Sequence, residues 1–259
     1  MSRKRIKRIA FITFLVLLFL FAAFYVFHSL GATNAKSLEK GRQYYEETGH
    51  IIWDIKTDEK VVALTFDDGP HPKYTGQILD LLEQYEAKGT FFIVGQHAEK
   101  SPEVVLRMSE DGHEIANHTY THPNSKSVSR IVEEINQTSD VIFSITGEKP
   151  YLFRPVEGYY TEPIVDEVVK KGYKIVMWSW HQDTEDWKEP GVNKIVNTVL
   201  NGIKNGDVIL FHDGGGNRDQ TVKALEKILP ELKSEGYKFI TISQMIHIQN
   251  EEKHHVVEE

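Results

Sequence analysis

The chain has 259 residues, 40% of them hydrophobic, with four Trp, eleven Tyr and thirteen Phe, which suits one ordinary or large domain and excludes a disordered polymer. The absence of cysteine excludes a disulfide scaffold, a Cys-ligated zinc or iron–sulfur site, a thiol nucleophile and a cysteine-linked lipid. Of its 30 basic residues five stand among the first eight, so the remainder is more acidic than the net charge of −8 and is a poor partner for nucleic acid.

Arg3, Lys4, Arg5, Lys7 and Arg8 precede a run over 9–30, 22 residues without formal charge when His28 is neutral. A bilayer span needs about 20 apolar residues, and a basic flank stays in the cytoplasm, so the rest of the chain is expected outside the cell. The expected reading is an uncleaved single-pass anchor in the cell membrane. Thr33-Asn34-Ala35 offers small residues for cleavage, and a cut near Ala35 would release a secreted protein. Residues 1–8 are then a cytoplasmic flank, 31–48 a polar stalk, 49–248 the main domain and 249–259 a charged tail.

From there, short apolar runs alternate with amphipathic stretches. Strands are predicted over 61–66, 90–94, 114–117, 151–154, 173–178, 207–211 and 238–242, and residues 50–55 can add a short strand ahead of the first. Helices are predicted over 74–88, 102–111, 127–145, 161–171, 192–204 and 219–235. In the third of these, Ile131, Ile135, Ile142 and Ile145 recur near helical spacing. Gly89, Gly112, Gly147, Gly172 and Gly236 each follow a predicted helix, where a left-handed cap is often required. Seven strands with intervening helices indicate an α/β fold with a parallel sheet. The pattern alone does not separate an open doubly wound sheet from a closed barrel.

Five strands run into ionisable residues: Asp67-Asp68-Gly69-Pro70, His118 to His122, Arg154-Pro155, the stretch Trp178 to Trp187, and His212-Asp213. Each has a plain reading by itself. Asp-Asp-Gly-Pro is also a turn, two histidines four apart also arise by chance, and the three glycines after Asp213 are also a flexible loop. Their coincidence at equivalent strand ends is the informative fact, because ligands and catalysis collect at the carboxyl ends of parallel strands. One carboxylate with two imidazoles makes a three-ligand site for zinc or a similar ion, with positions left open for water and substrate. His118 and His122 face one side, whereas adjacent Asp67 and Asp68 diverge, so one can hold the metal while the other meets the attacking water. His212, from another strand, would protonate the leaving group.

In order and spacing the motifs Thr65–Pro70, His118–His122, Arg154–Gly158, Asp183–Trp187 and Leu210–His212 resemble those of the polysaccharide deacetylases, the NodB-homology carbohydrate esterases, over about residues 49–248. The resemblance implies a distorted seven-stranded β/α barrel and metal-dependent removal of acetyl groups from N-acetylated sugars. It implies Asp67 as general base, and Asp68, His118 and His122 as ligands of a divalent ion, zinc first and cobalt or nickel next. It further implies His212 as general acid with Asp183 as its polar partner, and Arg154 as the residue that orients Asp67. Leu210 and Trp187 would line the acetyl pocket, and the Glu157 N–H would help hold the oxyanion. Two departures fall at the mouth of this site. Val156 and Glu157 replace the family's second proline and aromatic, and Trp180-His181-Gln182 lengthens the segment before Asp183, where His181 is a competing candidate. The expected partner is an envelope glycan such as peptidoglycan or a chitin-like oligosaccharide, acted on by a monomer. The alternatives are an O-acetyl esterase on a glycan and a catalytically silent wall-binding membrane protein.

Overall fold

The computed structural model describes residues 40–258, with side chains as far as Glu252. The predicted membrane run over 9–30, the candidate cleavage positions and the first half of the predicted stalk lie outside the described residues. Among the described residues no helix is long and apolar enough to cross a membrane.

The first half runs α1 (Arg42–Thr48), β1 (Ile51–Ile52), β2 (Val61–Asp67), α2 (Tyr74–Gln84), β3 (Gly89–Ile93), α3 (Gly95–Lys100), α4 (Pro102–Glu110), β4 (Glu114–Asn117) and α5 (Val128–Thr146). The second half runs β5 (Leu152–Phe153), α6 (Glu162–Lys170), β6 (Lys174–Val176), α7 (Val192–Gly202), β7 (Val208–His212), α8 (Asp219–Ser234), β8 (Lys238–Phe239) and α9 (Ile242–Glu258). Every ladder is parallel, in the order β1-β6-β5-β4-β3-β2-β7, with β8 added to the start of β2.

The predicted seven-stranded barrel is therefore corrected to a curled eight-stranded sheet, a half-barrel rather than a closed ladder. Among the described residues its two ends meet through isolated bridges, Asp54 to Asp207 and Asp183 to Leu210, rather than through a ladder. Strands β5 and β6 are shorter than predicted. The carbonyls of Val176 and Met177 accept hydrogen bonds from the Arg154 guanidinium, which occupies the top of the sheet at this point.

Strand β2 is buried along its whole length, as a strand covered on both faces must be. Its alternation divides two environments. Val62, Leu64 and Phe66 join the core beneath α2, α4, α7 and α8, where Phe66 stacks between Phe91 and Phe211. Ala63 faces inward with Phe92, Ala116 and Val208, and Ile242 and Met245 of α9 plug that space. Thr65 and Asp67 share the inward face with Ala63, two residues apart each time. The Asp67 carboxylate is thus carried at the end of β2 by the same period that fills the interior.

Two terminal segments depart from the expectation. Residues 42–48 of the predicted stalk form α1, because Tyr45 is buried against Ile51 and Trp53. Seven residues are too few to show a helical period. The predicted charged tail continues, over 249–258, the backbone of α9, whose apolar anchors Ile242, Met245 and Ile246 lie before the charged run begins.

Candidate active site

The parallel register sets the strand ends side by side. Asp67 pairs with Phe92 and His212, and Asn117 pairs with Ile93 and Phe153, so Asp67, His118, Arg154 and His212 emerge at one rim. Asp67 ends the strand, and Asp68 turns out of it with φ 74, a left-handed conformation rare for a residue with a side chain. That reversal sends the two carboxylates apart. A side chain on Gly214 would collide with the Asp68 carbonyl, and one on Gly69 with the carboxylate of buried Asp213. His97 Nδ1 lies 2.8 Å from the same Asp68 carbonyl, which can only accept. The three glycines of the sequence therefore act in part as space for the Asp68 turn.

Asp67 is buried and its Oδ1 accepts from Arg154 Nη1 at 2.7 Å. Arg154 is fully buried and also donates to Thr65 Oγ1, Val176 O and Met177 O, with its guanidinium 4.0 Å from the centre of the Phe92 ring. The arginine has no freedom left, so the carboxylate it holds is fixed as well.

His118 and His122 bracket a loop held from behind by Glu134. This side chain, wholly buried on α5, accepts from the N–H groups of Tyr120 and Thr121 and from the Thr121 hydroxyl, and pairs with Arg130 at 2.6 Å. Asn117 Oδ1 receives the Thr119 N–H. His118 Nδ1 lies 2.8 Å from the Arg154 carbonyl, so it carries the proton and leaves the Nε2 lone pair free to face the carboxylates. His118 Nε2 is 3.5 Å and His122 Nε2 3.1 Å from Asp68 Oδ1.

His212 departs from the expected partnership. Its Nδ1 donates to Asp186 Oδ1 at 2.7 Å, and its main-chain N–H donates to Asp186 Oδ2, which also accepts from the Thr221 hydroxyl. Asp183 instead accepts from the Glu185 N–H, while its backbone bridges Leu210 at the seam. The predicted role of Asp183 is therefore corrected to Asp186. The short helical turn Trp180–Gln182 and the following bend carry the chain two residues and more past Asp183 before a carboxylate meets the histidine. His181 is also set apart, paired with Asp207 at 3.0 Å.

The charges have identifiable effects. Burial holds the His118 pKa below its usual value, which favours the neutral imidazole. The Asp68 contact raises that of His122 against its burial. For Asp68 burial favours the neutral acid, but the three imidazoles of His122, His118 and His212 outweigh it and hold the carboxyl well below the usual range. Burial would lower His212, but the charge and hydrogen bond of Asp186, with Asp67 and Asp68 beyond, raise it to about 9. Asp213 is raised to about 7, chiefly by burial, with its Oδ2 bound by the Thr75 hydroxyl.

The same arrangement has known relatives. The family model for polysaccharide deacetylase matches residues 54–176. A peptidoglycan-N-acetylglucosamine deacetylase of Bacillus cereus is 46% identical over 206 residues, 79% of this chain and 97% of the relative. The chain belongs to the polysaccharide deacetylase family. A chitooligosaccharide deacetylase of Rhizobium leguminosarum bv. trifolii is 36% identical over 73% of this chain and 93% of its own. The crystal structure of the Bc1960 peptidoglycan N-acetylglucosamine deacetylase superposes with a TM-score of 0.74 at 38% identity, over 78% of this chain and 94% of that one.

In this polysaccharide deacetylase the donor set fits a divalent ion. One atom each from Asp68, His118 and His122 lies within 4.8 Å of the others, and Asp68 Oδ1 is buried without a hydrogen bond of sound geometry despite the nearby imidazoles. Three converging acceptors that do not satisfy one another are what a cation requires. Leu210 shares the inward face of β7 with His212 and is buried, whereas Trp187, next to Asp186, stands half-exposed at the rim. Glu157 has φ 55 within a tight turn, where the carbonyls of Pro155 and Val156 accept from Gly158 and Tyr159. The sequence reading missed Asp186, Glu134, Asn117, His97 and Asp213. A carboxylate at position 134, next to Ile135 and three from Ile131 on an apolar face, was the one legible signal among them.

Proposed function

We propose that this chain is a metal-dependent hydrolase that removes N-acetyl groups from amino-sugar residues of an extracellular or cell-wall glycan, peptidoglycan first and chitin-like oligosaccharides next. The observation that carries the reading is the division of labour between adjacent carboxylates, Asp67 bound to Arg154 and Asp68 set among His118 and His122. A divalent ion on Asp68, His118 and His122, zinc by its match to one oxygen and two imidazole donors, supplies an acidified water and a polarised carbonyl.

The chain's own residues do the rest. Asp67 takes the proton of the attacking water as the new C–O bond forms, with Arg154 holding its other function fixed. The Glu157 N–H, on a turn with φ 55, would help hold the oxyanion. His212, protonated at neutral pH and anchored through Nδ1, gives a proton to the leaving nitrogen as the C–N bond breaks. Acetate and a free amine result. The basic flank and the apolar run over 9–30 support attachment to the membrane with this domain outside, within reach of wall glycan.

The test is acetate release from defined N-acetylated and O-acetylated oligosaccharides, with and without a chelator and with zinc added back. Acetate accompanied by an equal amount of new primary amine, lost on chelation and regained with zinc, is the expected result. Acetate without amine would turn the reading to an O-acetyl esterase, and no acetate from any glycan would end it.

A further inference from the structure

Asp213 follows His212 directly and is fully buried, yet the metal, base and acid assignments leave it without a role. A carboxyl group in such a place is costly unless its neighbours bind it. Its contacts reach two segments that flank Asp68. The Asp213 main-chain N–H donates to the Asp67 carbonyl at 3.0 Å. Its Oδ2 accepts from the Thr75 hydroxyl, which in turn accepts from the His71 N–H at 2.8 Å. Thr75 is itself wholly buried near the start of α2. A side chain on Gly69 would collide with both Asp213 carboxyl oxygens, so the carboxyl lies directly against that glycine. Its Oδ1 is buried and has no hydrogen-bond partner.

One residue therefore holds the chain on both sides of Asp68. The Asp213 main chain fixes where Asp67 leaves β2, while its side chain fixes Gly69 and, through Thr75, His71. Between those two points the backbone passes through φ 74 at Asp68, and there the two carboxylates part. The other contacts on this turn come from the segment that leaves β3. The Val94 N–H donates to the Gly69 carbonyl at 2.9 Å, and His97 Nδ1 lies 2.8 Å from the Asp68 carbonyl. Strand β2 lies between β3 and β7, so Asp213 grips the turn from the opposite side. With that grip removed, the turn is held from one side only and Asp68 is free to move relative to Asp67.

We propose that Asp213 is a positioning residue that clamps this turn from the β7 side and so sets the separation between the base Asp67 and the metal ligand Asp68. The proposal rests on the deacetylase reading for the roles of those two carboxylates. The clamp works by contact and hydrogen bonding rather than by charge.

Three measurements on the full chain test it: zinc affinity against a chromophoric chelator, the visible spectrum of cobalt-loaded protein, and acetate release at saturating zinc. Asp213→Ala should lower zinc affinity about tenfold or more, the usual scale for a group that supports a metal ligand, and alter the cobalt bands. At saturating zinc its kcat should fall about tenfold while KM stays within about twofold. Asp213→Asn keeps the shape and an acceptor for Thr75, so it should restore most of the affinity and the parent cobalt spectrum. Thr75→Val should move the same readouts in the same direction, and adding it to Asp213→Ala should cost little more. If the alanine variant does not fold, Thr75→Val decides, and unchanged metal readouts there would overturn the clamp. A lowered melting temperature in Asp213→Ala with native zinc affinity, cobalt spectrum and kcat would mark a purely structural residue and overturn it as well. So would an asparagine variant as impaired as the alanine one, because charge would then be what matters. Neither metal readout depends on turnover. A parent protein that releases no acetate would sink the deacetylase reading, and the zinc and cobalt results would still decide whether Asp213 places Asp68.

Discussion

Replacing Asp186 with Asn isolates the part of the site that the sequence misassigned. The side chain is buried and uses both oxygens, one on His212 Nδ1 and the other on the His212 N–H and the Thr221 hydroxyl. An amide cannot reproduce this. In one orientation its NH2 faces the His212 N–H, donor against donor, at a cost of ~1–3 kcal/mol for buried groups left unpaired. In the other it donates to Nδ1, which reverses the tautomer, so that the proton on Nε2 belongs to a neutral imidazole, far too weak an acid to give it up, and the imidazolium is disfavoured. His212 stands at about 9 against its ordinary 6.5, a difference of ~3 kcal/mol in favour of the imidazolium, and Asp186 is the leading favourable cause. A general acid works while protonated, so activity is present below its pKa and lost as pH rises through it. The alkaline limb of the kcat profile should lie near 9 in the parent and move to or below the ordinary histidine value in Asp186→Asn, with kcat/KM down ~10²–10³-fold. Metal affinity should not change, because Asp186 touches none of the three ligands. Stability should follow the same sign: the raised histidine pKa contributes fully below 6.5 and fades as pH climbs through about 9. The assay is a pH series of acetate release, with Asp183→Asn alongside. A limb that moves in Asp183→Asn and stays in place in Asp186→Asn would refute the assignment.

Asp67→Asn should abolish turnover, ~10³-fold or more, and still bind zinc, whereas Asp68→Asn should lose zinc affinity as well, and identical zinc titrations of the two would show the base and ligand assignments to be wrong. Zinc affinity should weaken as pH falls from about 8 to about 5, because ligands must be deprotonated and His122 is the one raised by its surroundings, which a competing chromophoric chelator can follow across that range. Gly214→Ala, whose new methyl meets the Asp68 carbonyl, should lower zinc affinity at least ~10-fold while the far-UV spectrum stays native, and unchanged zinc binding there would mean that the Asp68 turn tolerates displacement.

Much of the site was legible because it sits where two sequence signals meet. Thr65, Asp67 and the hydrophobic positions of β2 follow one alternation, so the strand announces both its burial and its exit into polar residues. His118 and His122 follow β4 in the same way. Legibility fails where three-dimensional routing decides between like residues. Asp183 and Asp186 lie three apart in one acidic segment, and only the turn at Trp180–Gln182 determines which one reaches His212. It fails also for short elements: α1 and α3 have seven and six residues, too few to show a period, and are held by Tyr45 and Ala98 rather than by propensity. The distorted barrel expected from the family is a curled sheet here, its two ends meeting through the isolated bridges Asp54–Asp207 and Asp183–Leu210 rather than a ladder.

Several of the residues that eluded the sequence hold a strained backbone in place. Asp68, Thr119, His122 and Glu157 all hold positive φ, a conformation that costs on the order of 1–3 kcal/mol for a residue with a side chain. Such strain persists only where neighbours over-determine the backbone, and at Asp68 and along the loop into His122 the constraints have a named source. His97 and the space at Gly214 hold Asp68; Asn117 and Glu134 hold the loop from Thr119 to Thr121, which leads into His122. None of these constraining groups is among the atoms assigned to metal, base or acid. Their side chains instead fix the directions in which those atoms point before any substrate arrives. A motif records the reacting groups because their chemistry is irreplaceable at one position. The constraining groups are dispersed over α3, β4, α5 and the loop after β7, and only the folded chain brings them to the same turn.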